Sequence, residues 1–333
     1  MASSIKNINF YNSLFMDSFF PENEEFFTII HFHGGGLVEG DKGDTHKLCE
    51  QLADKGFAVY TANYSLLTEA KFPQMLYDAA NAVKFVMEDA QKHGKTKGFI
   101  ISGQSAGAWI TLMLCLNKEY LASVGIDSKD IFAWVSESAQ PTTHFNILKL
   151  ERGLSPLLQR IDEAAPLYYV DEKTEFSHLL LIAYDKDIEN RLEQNKLLVT
   201  AIKNFNKDAH VHLEVLPGWH CQGSCEPDNN GEYPIANRID TWIKSIKWYR
   251  FWYYINMFKM LKHRKPIVYV FMGIYALLST FIIIESCLPR GISGVQSNFF
   301  AKVSSWFVNL VEWPKTPKSI APLEFGEITD SSY

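Results

Sequence analysis

Short apolar runs alternate with amphipathic helical patterns as far as residue 246. Six of the runs have the length and composition of buried strands: 27–32, 58–62, 98–102, 132–136, 179–183 and 211–216. Four intervening stretches have helical spacing: 45–55, 75–93, 106–117 and 188–204. Runs at 8–11 and 14–19 favour antiparallel edge strands. Strands that alternate with helices predict an α/β domain over residues 1–246, with a mostly parallel central sheet and helices on both faces.

The pattern changes after residue 246, where we expect a C-terminal hydrophobic helical extension. Segment 247–266 mixes aromatic and basic residues, as the headgroup layer of a membrane favours. Segment 267–284 is 18 uncharged residues, which at about 1.5 Å per residue nearly span a ~30 Å hydrocarbon core. This run predicts a transmembrane helix, and the alternative is a buried helix or hairpin that packs on the domain. Residues 285–333 predict an amphipathic helix followed by a loose tail.

The distribution of basic residues around segment 267–284 predicts its orientation. Seven lysines and arginines precede it between residues 244 and 265, whereas only Arg290 and Lys302 follow within about twenty residues. The positive-inside bias therefore predicts a membrane-associated protein whose domain 1–246 faces the cytoplasm. If the helix docks on protein instead, we expect a cytoplasmic protein.

Composition excludes two broad classes of protein. With 47% hydrophobic and 14% aromatic residues, the chain is too apolar to be mainly disordered. The 32 basic residues against 38 acidic ones leave a net charge of −6, which offers no general attraction for phosphate. We therefore expect no nucleic-acid partner.

A candidate nucleophile follows the predicted strand 98–102. The segment 103–107 reads Gly-x-Ser-x-Gly, with Ser105 at its centre and the predicted helix 106–117 directly after it. A nucleophilic serine needs a sharp turn between strand and helix, and flanking glycines leave room for the two elements to approach. The bare pattern is common, so the interpretation depends on this strand–helix context.

A glycine-rich loop follows the predicted strand 27–32. Its sequence is His33-Gly34-Gly35-Gly36, which allows several backbone N–H groups to point towards one developing oxyanion. The alternatives are a flexible turn or a phosphate loop. A phosphate loop requires Lys-Ser/Thr after its second glycine, but Gly40 is followed by Asp41-Lys42.

A serine nucleophile also needs a base and an acid that orients the base. Polar residues follow two late strands: Asp185 and Asp187 after 179–183, and His220 after 211–216. Carboxyl ends of parallel strands share one edge of a sheet, and the chain order Ser, Asp, His is that of an α/β-hydrolase. We predict His220 as the base and Asp187 as the acid, because Asp187 lies further into its loop. Asp185 and Glu189 stay as alternatives.

Together these motifs resemble the esterase branch of the α/β-hydrolase fold that carries His-Gly-Gly-Gly, similar to hormone-sensitive lipase and to carbohydrate-ester and feruloyl esterases. The resemblance covers residues 9–243. It implies Ser105 as nucleophile, His220 as base and then acid, and Asp187 as orienting acid, with no cofactor or metal. It also implies an oxyanion hole formed by the backbone N–H groups of Gly35, Gly36 and Ala106. Ser65 departs from the family pattern, which has arginine after the tyrosine equivalent to Tyr64.

Three functions are compatible with the sequence. The leading hypothesis is a membrane-attached serine esterase that acts on a small-molecule acyl ester. The alternatives are an amidase, such as a kynurenine-formamidase-like enzyme, and a catalytically silent hydrolase fold that serves as a binding protein. Cys221 and Cys225 lie beside His220, but they lack the fourth ligand of a structural zinc site, so a loop disulfide or free thiols are expected. Acyl and alcohol specificity and the oligomeric state stay open.

Overall fold

An eight-stranded sheet forms the centre of the molecule in the computed structural model, which describes residues 3–246. Its strands are β1 (Ser3–Tyr11), β2 (Leu14–Phe20), β3 (Glu25–Phe32), β4 (Phe57–Ala62), β5 (Lys95–Gln104), β6 (Ile131–Glu137), β7 (Leu179–Lys186) and β8 (Val211–Trp219). Their order across the sheet is β1-β2-β4-β3-β5-β6-β7-β8. Strand β2 runs antiparallel to both neighbours, and the other neighbouring strands pair in parallel. The predicted mostly parallel sheet with antiparallel strands at one edge is confirmed.

Seven α-helices belong to the described part of the chain: α1 (His46–Asp54), α2 (Gln74–His93), α3 (Ala106–Leu116), α4 (Glu119–Ala122), α5 (Arg191–Phe205), α6 (Gln222–Cys225) and α7 (Pro234–Ser245). Helices α1 and α7 contribute to the apolar cluster on one face of the sheet. Helices α2, α3 and α5 contribute to the larger cluster on the other face. Helices on both faces, as predicted, bury the two sides of the parallel strands.

Helix α7 was not predicted from the sequence. It begins with Pro234 in its first turn, where the missing N–H and the fixed φ of proline are favourable. Its buried face consists of Ile235, Ala236, Ile239 and Ile243, which recur at helical spacing. These residues pack beside α1 in the apolar cluster on that face of the sheet.

Two predicted helices begin later than expected. Helix α5 starts at Arg191 rather than at 188, because Asn190 takes a left-handed conformation with φ of +65° and interrupts the helical backbone. Helix α1 starts at His46, after a short 3₁₀ turn at Lys42–Thr45 that the side chain of Asp41 caps. The exposed turn before α5 is the loop that carries Asp187.

The C-terminal predictions lie outside the described residues. This applies to the aromatic and basic segment 247–266, the candidate membrane span 267–284 and the extension 285–333, which stay predictions. Between residues 3 and 246, no helix has the length and apolar character needed to cross a membrane.

Candidate active site

The backbone turns sharply between β5 and α3, and Ser105 is at the turn. Its φ of +52° and ψ of −112° lie outside the regions that ordinary residues favour. A Cβ on Gly103 would lie 2.3 Å from the backbone carbonyl of Gly107, and one on Gly107 would lie 2.0 Å from the carbonyl oxygen of Phe32. The glycines on both sides of the serine are therefore sterically required. The Ser105 N–H donates to the backbone oxygen of Glu137 at 2.8 Å, which holds the turn.

The structure brings Ser105, His220 and Asp187 into one hydrogen-bonded chain. Ser105 Oγ lies 2.8 Å from His220 Nε2, and His220 Nδ1 lies 2.5 Å from Asp187 Oδ1. Because a carboxylate only accepts, Nδ1 carries the proton and Nε2 is left to accept from the serine O–H. This is the tautomer that a general base next to a serine requires.

Asp187, rather than Asp185, makes the contact with His220. Its side chain is 2% exposed, and it also accepts hydrogen bonds from Ser138 Oγ at 2.7 Å and from the Ile188 N–H at 2.7 Å. Burial acts to raise the pKa of Asp187, but the hydrogen bonds from His220 and Ser138 outweigh it and hold that pKa below its usual range. Asp185 is exposed and accepts the N–H of Gly218 at 2.8 Å, and Glu189 is also exposed.

The glycine-rich loop after β3 lies directly beside the nucleophile turn. A Cβ on Gly34 would lie 3.4 Å from Ser105 Cβ, which is van der Waals contact. Gly35 and Gly36 both have positive φ, and Asn146 Nδ2 donates to the Gly36 carbonyl at 2.7 Å. Within residues 3–246, the backbone N–H groups of Gly35, Gly36 and Ala106 have no hydrogen-bond acceptor. These donors stay available to a ligand oxygen beside Ser105.

Two buried aromatic side chains support this loop. The rings of His33 and Tyr64 stack with centroids 4.5 Å apart, and the Tyr64 O–H donates to the His33 carbonyl at 2.9 Å. His33 Nδ1 donates to the Gly34 carbonyl at 2.7 Å, and burial lowers the pKa of His33, which keeps the ring neutral. Ser65, the departure from the family pattern, donates its N–H to Asp78 at 3.0 Å.

The loop that carries His220 is held by polar groups that the sequence analysis did not identify. Tyr184 Oη donates to Glu137 Oε1 at 2.5 Å and accepts the Gly223 N–H at 2.7 Å. The Cys221 N–H donates to Ser138 Oγ at 3.2 Å. Glu137 and Ser138 directly follow the predicted strand 132–136. Like Asp187 and His220, they lie at the carboxyl end of a parallel strand, and this position is the signal in the sequence that points to them.

Cys221 and Cys225 are both free thiols, so the second of the two expected states is present. Burial raises the pKa of both thiols, most strongly that of Cys221, which is enclosed. Both are therefore neutral near pH 7.

A cavity of about 300 Å³ opens beside the nucleophile turn. Its lining consists of Gly34, Gly35, Glu39, Gly40, Asp44 and Gln104. Gln104 directly precedes Ser105, and Gly34 packs against the Ser105 side chain. The cavity therefore lies next to the candidate nucleophile. This is enough space for part of a small ligand.

The chain is similar to several esterases. The BD-FAE family model matches residues 16–147, which include Ser105 and the glycine loop but neither Asp187 nor His220. Esterase LipI of Mycobacterium tuberculosis is 36% identical over 97 residues, which is 28% of this chain and 30% of LipI. Neutral cholesterol ester hydrolase 1 of Mus musculus is 28% identical over 154 residues, which is 44% of this chain and 33% of that protein. The matches thus span about a third of each relative's length.

Among solved structures, esterase B from Lactobacillus rhamnosis superposes with a TM-score of 0.60 and 13% identity, covering 73% of this chain and 84% of the esterase. This likeness, with the strand order above, decides the fold. The chain has the α/β-hydrolase fold. Within an α/β-hydrolase, the turn after β5 and the loops after β7 and β8 are where Ser105, Asp187 and His220 lie.

Proposed function

We propose that this α/β-hydrolase is a serine esterase that hydrolyses carboxylic esters of small molecules through an acyl-enzyme on Ser105. The observation that carries the proposal is the hydrogen-bonded chain from Ser105 through His220 to Asp187, with unpaired backbone N–H groups beside the serine. A serine, a base in the correct tautomer, an orienting carboxylate and an oxyanion site are the parts that acyl transfer needs.

The first half of the reaction transfers the acyl group. Ser105 Oγ attacks the ester carbonyl while its proton passes to His220 Nε2, and Asp187 stabilises the resulting imidazolium. The N–H groups of Gly35, Gly36 and Ala106 donate to the oxyanion of the tetrahedral intermediate. Collapse of the intermediate breaks the bond to the alcohol oxygen, which leaves with the proton from His220.

In the second half, water replaces the alcohol. His220 takes a proton from the water as it attacks the acyl carbonyl, and the same N–H groups stabilise the second oxyanion. The carboxylic acid leaves and Ser105 regains its proton. The sum is one ester and one water to one acid and one alcohol.

The relatives support the choice of ester over other acyl substrates. LipI is an esterase, and the mouse relative is a neutral cholesterol ester hydrolase. The matched segments span about a third of each of these relatives.

The proposal is tested with the full chain and two reagents. A fluorophosphonate probe should label the wild type and not Ser105→Ala. A series of p-nitrophenyl esters from acetate to palmitate should be hydrolysed by the wild type, and Ser105→Ala should lose at least about 10⁴-fold in kcat/KM. Labelling without ester hydrolysis would favour the amidase alternative, and a folded wild type without labelling would contradict a serine hydrolase.

A further inference from the structure

A buried carboxylate that the mechanism above does not use lies at the end of β6. Glu137 is 2% exposed, and burial raises its pKa. Among the ion pairs of residues 3–246, none includes Glu137. A buried carboxylate without a cation is costly unless hydrogen bonds compensate for lost hydration. Its retention next to the candidate active site therefore needs an explanation.

Glu137 joins the nucleophile turn to the loop of the candidate base. Its backbone oxygen accepts the Ser105 N–H at 2.8 Å, and its Oε1 accepts the Tyr184 O–H at 2.5 Å. Because Tyr184 Oη already accepts the Gly223 N–H at 2.7 Å, its single proton is directed to Glu137. Through Tyr184, the carboxylate thus holds Gly223, which lies three residues after His220.

Close packing leaves little freedom in this chain of hydrogen bonds. A Cβ on Gly223 would lie 2.5 Å from Tyr184 Oη and 3.3 Å from Glu137 Oε1, so only glycine fits there without a shift. The next residue of β6 holds the other side of the loop: Ser138 Oγ accepts the Cys221 N–H and donates to Asp187. The end of β6 therefore contacts the nucleophile turn, the acid and the base loop at once.

We propose that Glu137 is a positioning residue for His220, whose carboxylate fixes the loop 220–225 and whose negative charge stabilises the protonated imidazole during acyl transfer. The proposal rests on the proposed function, because it assigns His220 the role of base. Burial acts to raise the pKa of Glu137, but the hydrogen bond from Tyr184 and the charge of a protonated His220 both act to lower it, so Glu137 and His220 interact electrostatically. Opposite charges in a poorly hydrated site interact strongly, so an ionised Glu137 favours the imidazolium.

The other titratable groups around this site would not account for a change in the pH profile when Glu137 is replaced. Asp187 is hydrogen-bonded to His220 directly, and the thiols of Cys221 and Cys225 are neutral near pH 7. Arg191 at the start of α5 is 4% exposed and interacts with Asp187 and Cys221. These groups, together with Tyr184, stay unchanged when Glu137 alone is neutralised.

The test is Glu137→Gln in the full chain, because glutamine keeps the shape and an acceptor oxygen but removes the charge. The rate at which a fluorophosphonate modifies Ser105, and kcat/KM for p-nitrophenyl butyrate, are measured from pH 5 to pH 9. We expect the apparent pKa of the rising limb to fall by about 0.5–1 pH unit. The rate at the plateau should fall about 10-fold, since an imidazolium is less stabilised.

Two further variants separate charge from shape. Glu137→Asp keeps the charge and shortens its reach, so the wild-type apparent pKa should return while the plateau rate stays low. Glu226→Gln removes an exposed charge that directly follows α6 and should leave the profile unchanged. Thermal melts establish that each variant is folded.

The outcomes distinguish the positioning role of Glu137 from the proposed serine esterase function. A wild type whose Ser105 does not react overturns both. A reactive Ser105 with the same pH profile in wild type and Glu137→Gln overturns only the role of Glu137. The same holds if Glu137→Gln unfolds and Glu137→Asp shifts the apparent pKa, because a retained charge should preserve it.

Discussion

Two loops meet at Ser105, and they are held in place by different forces. In the loop after β3, a Cβ on Gly35 would lie 2.0 Å from the Glu39 carbonyl oxygen, and one on Gly40 would lie 2.6 Å from the Gly34 carbonyl oxygen. At the end of β8 and in the loop that follows it, the corresponding clashes of Gly218 and Gly223 are with the side-chain oxygens of Gln222 and Tyr184. Glycine in the first loop is therefore required chiefly by close backbone contacts, with added hydrogen bonds from Tyr64 and Asn146. The second loop is held by hydrogen bonds to the buried side chains of Ser138 and Tyr184.

This difference explains why one loop was identified in the sequence and the support of the other was not. Backbone contacts of this kind require glycine, so the run Gly34–Gly36 is visible as a motif. The second loop depends on Glu137, Ser138 and Tyr184, which are distant in sequence and ordinary in type. A loop held by such partners has no local signature.

The largest expected effect concerns Asp187, the acid that is hydrogen-bonded to His220. Asp187→Asn should lower kcat by about 10⁴-fold, because an amide favours the wrong tautomer of His220. Asp185→Asn, two residues away, should cost less than about 10-fold, since Asp185 accepts only the Gly218 N–H. Steady-state kinetics on a p-nitrophenyl ester compare the two, and equal losses would contradict the assignment of Asp187.

A smaller effect is expected in the glycine loop. Gly35→Ala should lower kcat by about 10²–10³-fold, because a Cβ would collide with the Glu39 carbonyl and displace oxyanion donors. Gly153→Ala is the matched control: Gly153 also has positive φ, +62°, but nothing lies within 4 Å of its Cβ position. That variant should keep its activity. Gly223→Ala should lose less than Gly35→Ala, because its Cβ would meet side-chain rather than backbone atoms. A larger loss in Gly223→Ala would contradict this difference between the two loops.

The smallest effect is on stability and concerns two buried histidines, His31 and His144. Burial lowers the pKa of His31 in β3 to about 4 and that of His144, after β6, to about 3. Below the unfolded pKa of about 6.5, the unfolded chain binds protons that the folded chain does not, so stability falls as pH falls. Each histidine should cost about 2 kcal/mol between pH 7 and pH 5.

Urea unfolding at the two pH values measures this loss. His33, whose pKa is also lowered by burial, acts in the same direction, whereas Asp187 contributes only at lower pH because its folded pKa is depressed. His144→Gln should remove part of the pH dependence. A free energy of unfolding that is equal at pH 7 and pH 5 would contradict neutral buried histidines.

Sequence reasoning identified all eight strands, because each is an apolar run bounded by turn residues. It did not identify α7, whose four buried residues are separated by polar ones in a short, mixed segment. It also placed the start of α5 three residues early, since the left-handed backbone of Asn190 leaves no mark in the hydrophobic pattern.

In the candidate site, the local sequence was sufficient to identify residues at positions where only one residue type fits. Ser105 between two obligatory glycines, the glycine loop after β3, and polar residues at strand ends were identifiable because sterics and strand direction act over a few residues. Only the tertiary structure decided that Asp187 rather than Asp185 pairs with His220, and that Glu137, Ser138 and Tyr184 hold the base loop. Those contacts join residues from separate strands and loops, and hydrogen bonds between distant side chains depend on where the whole sheet places them.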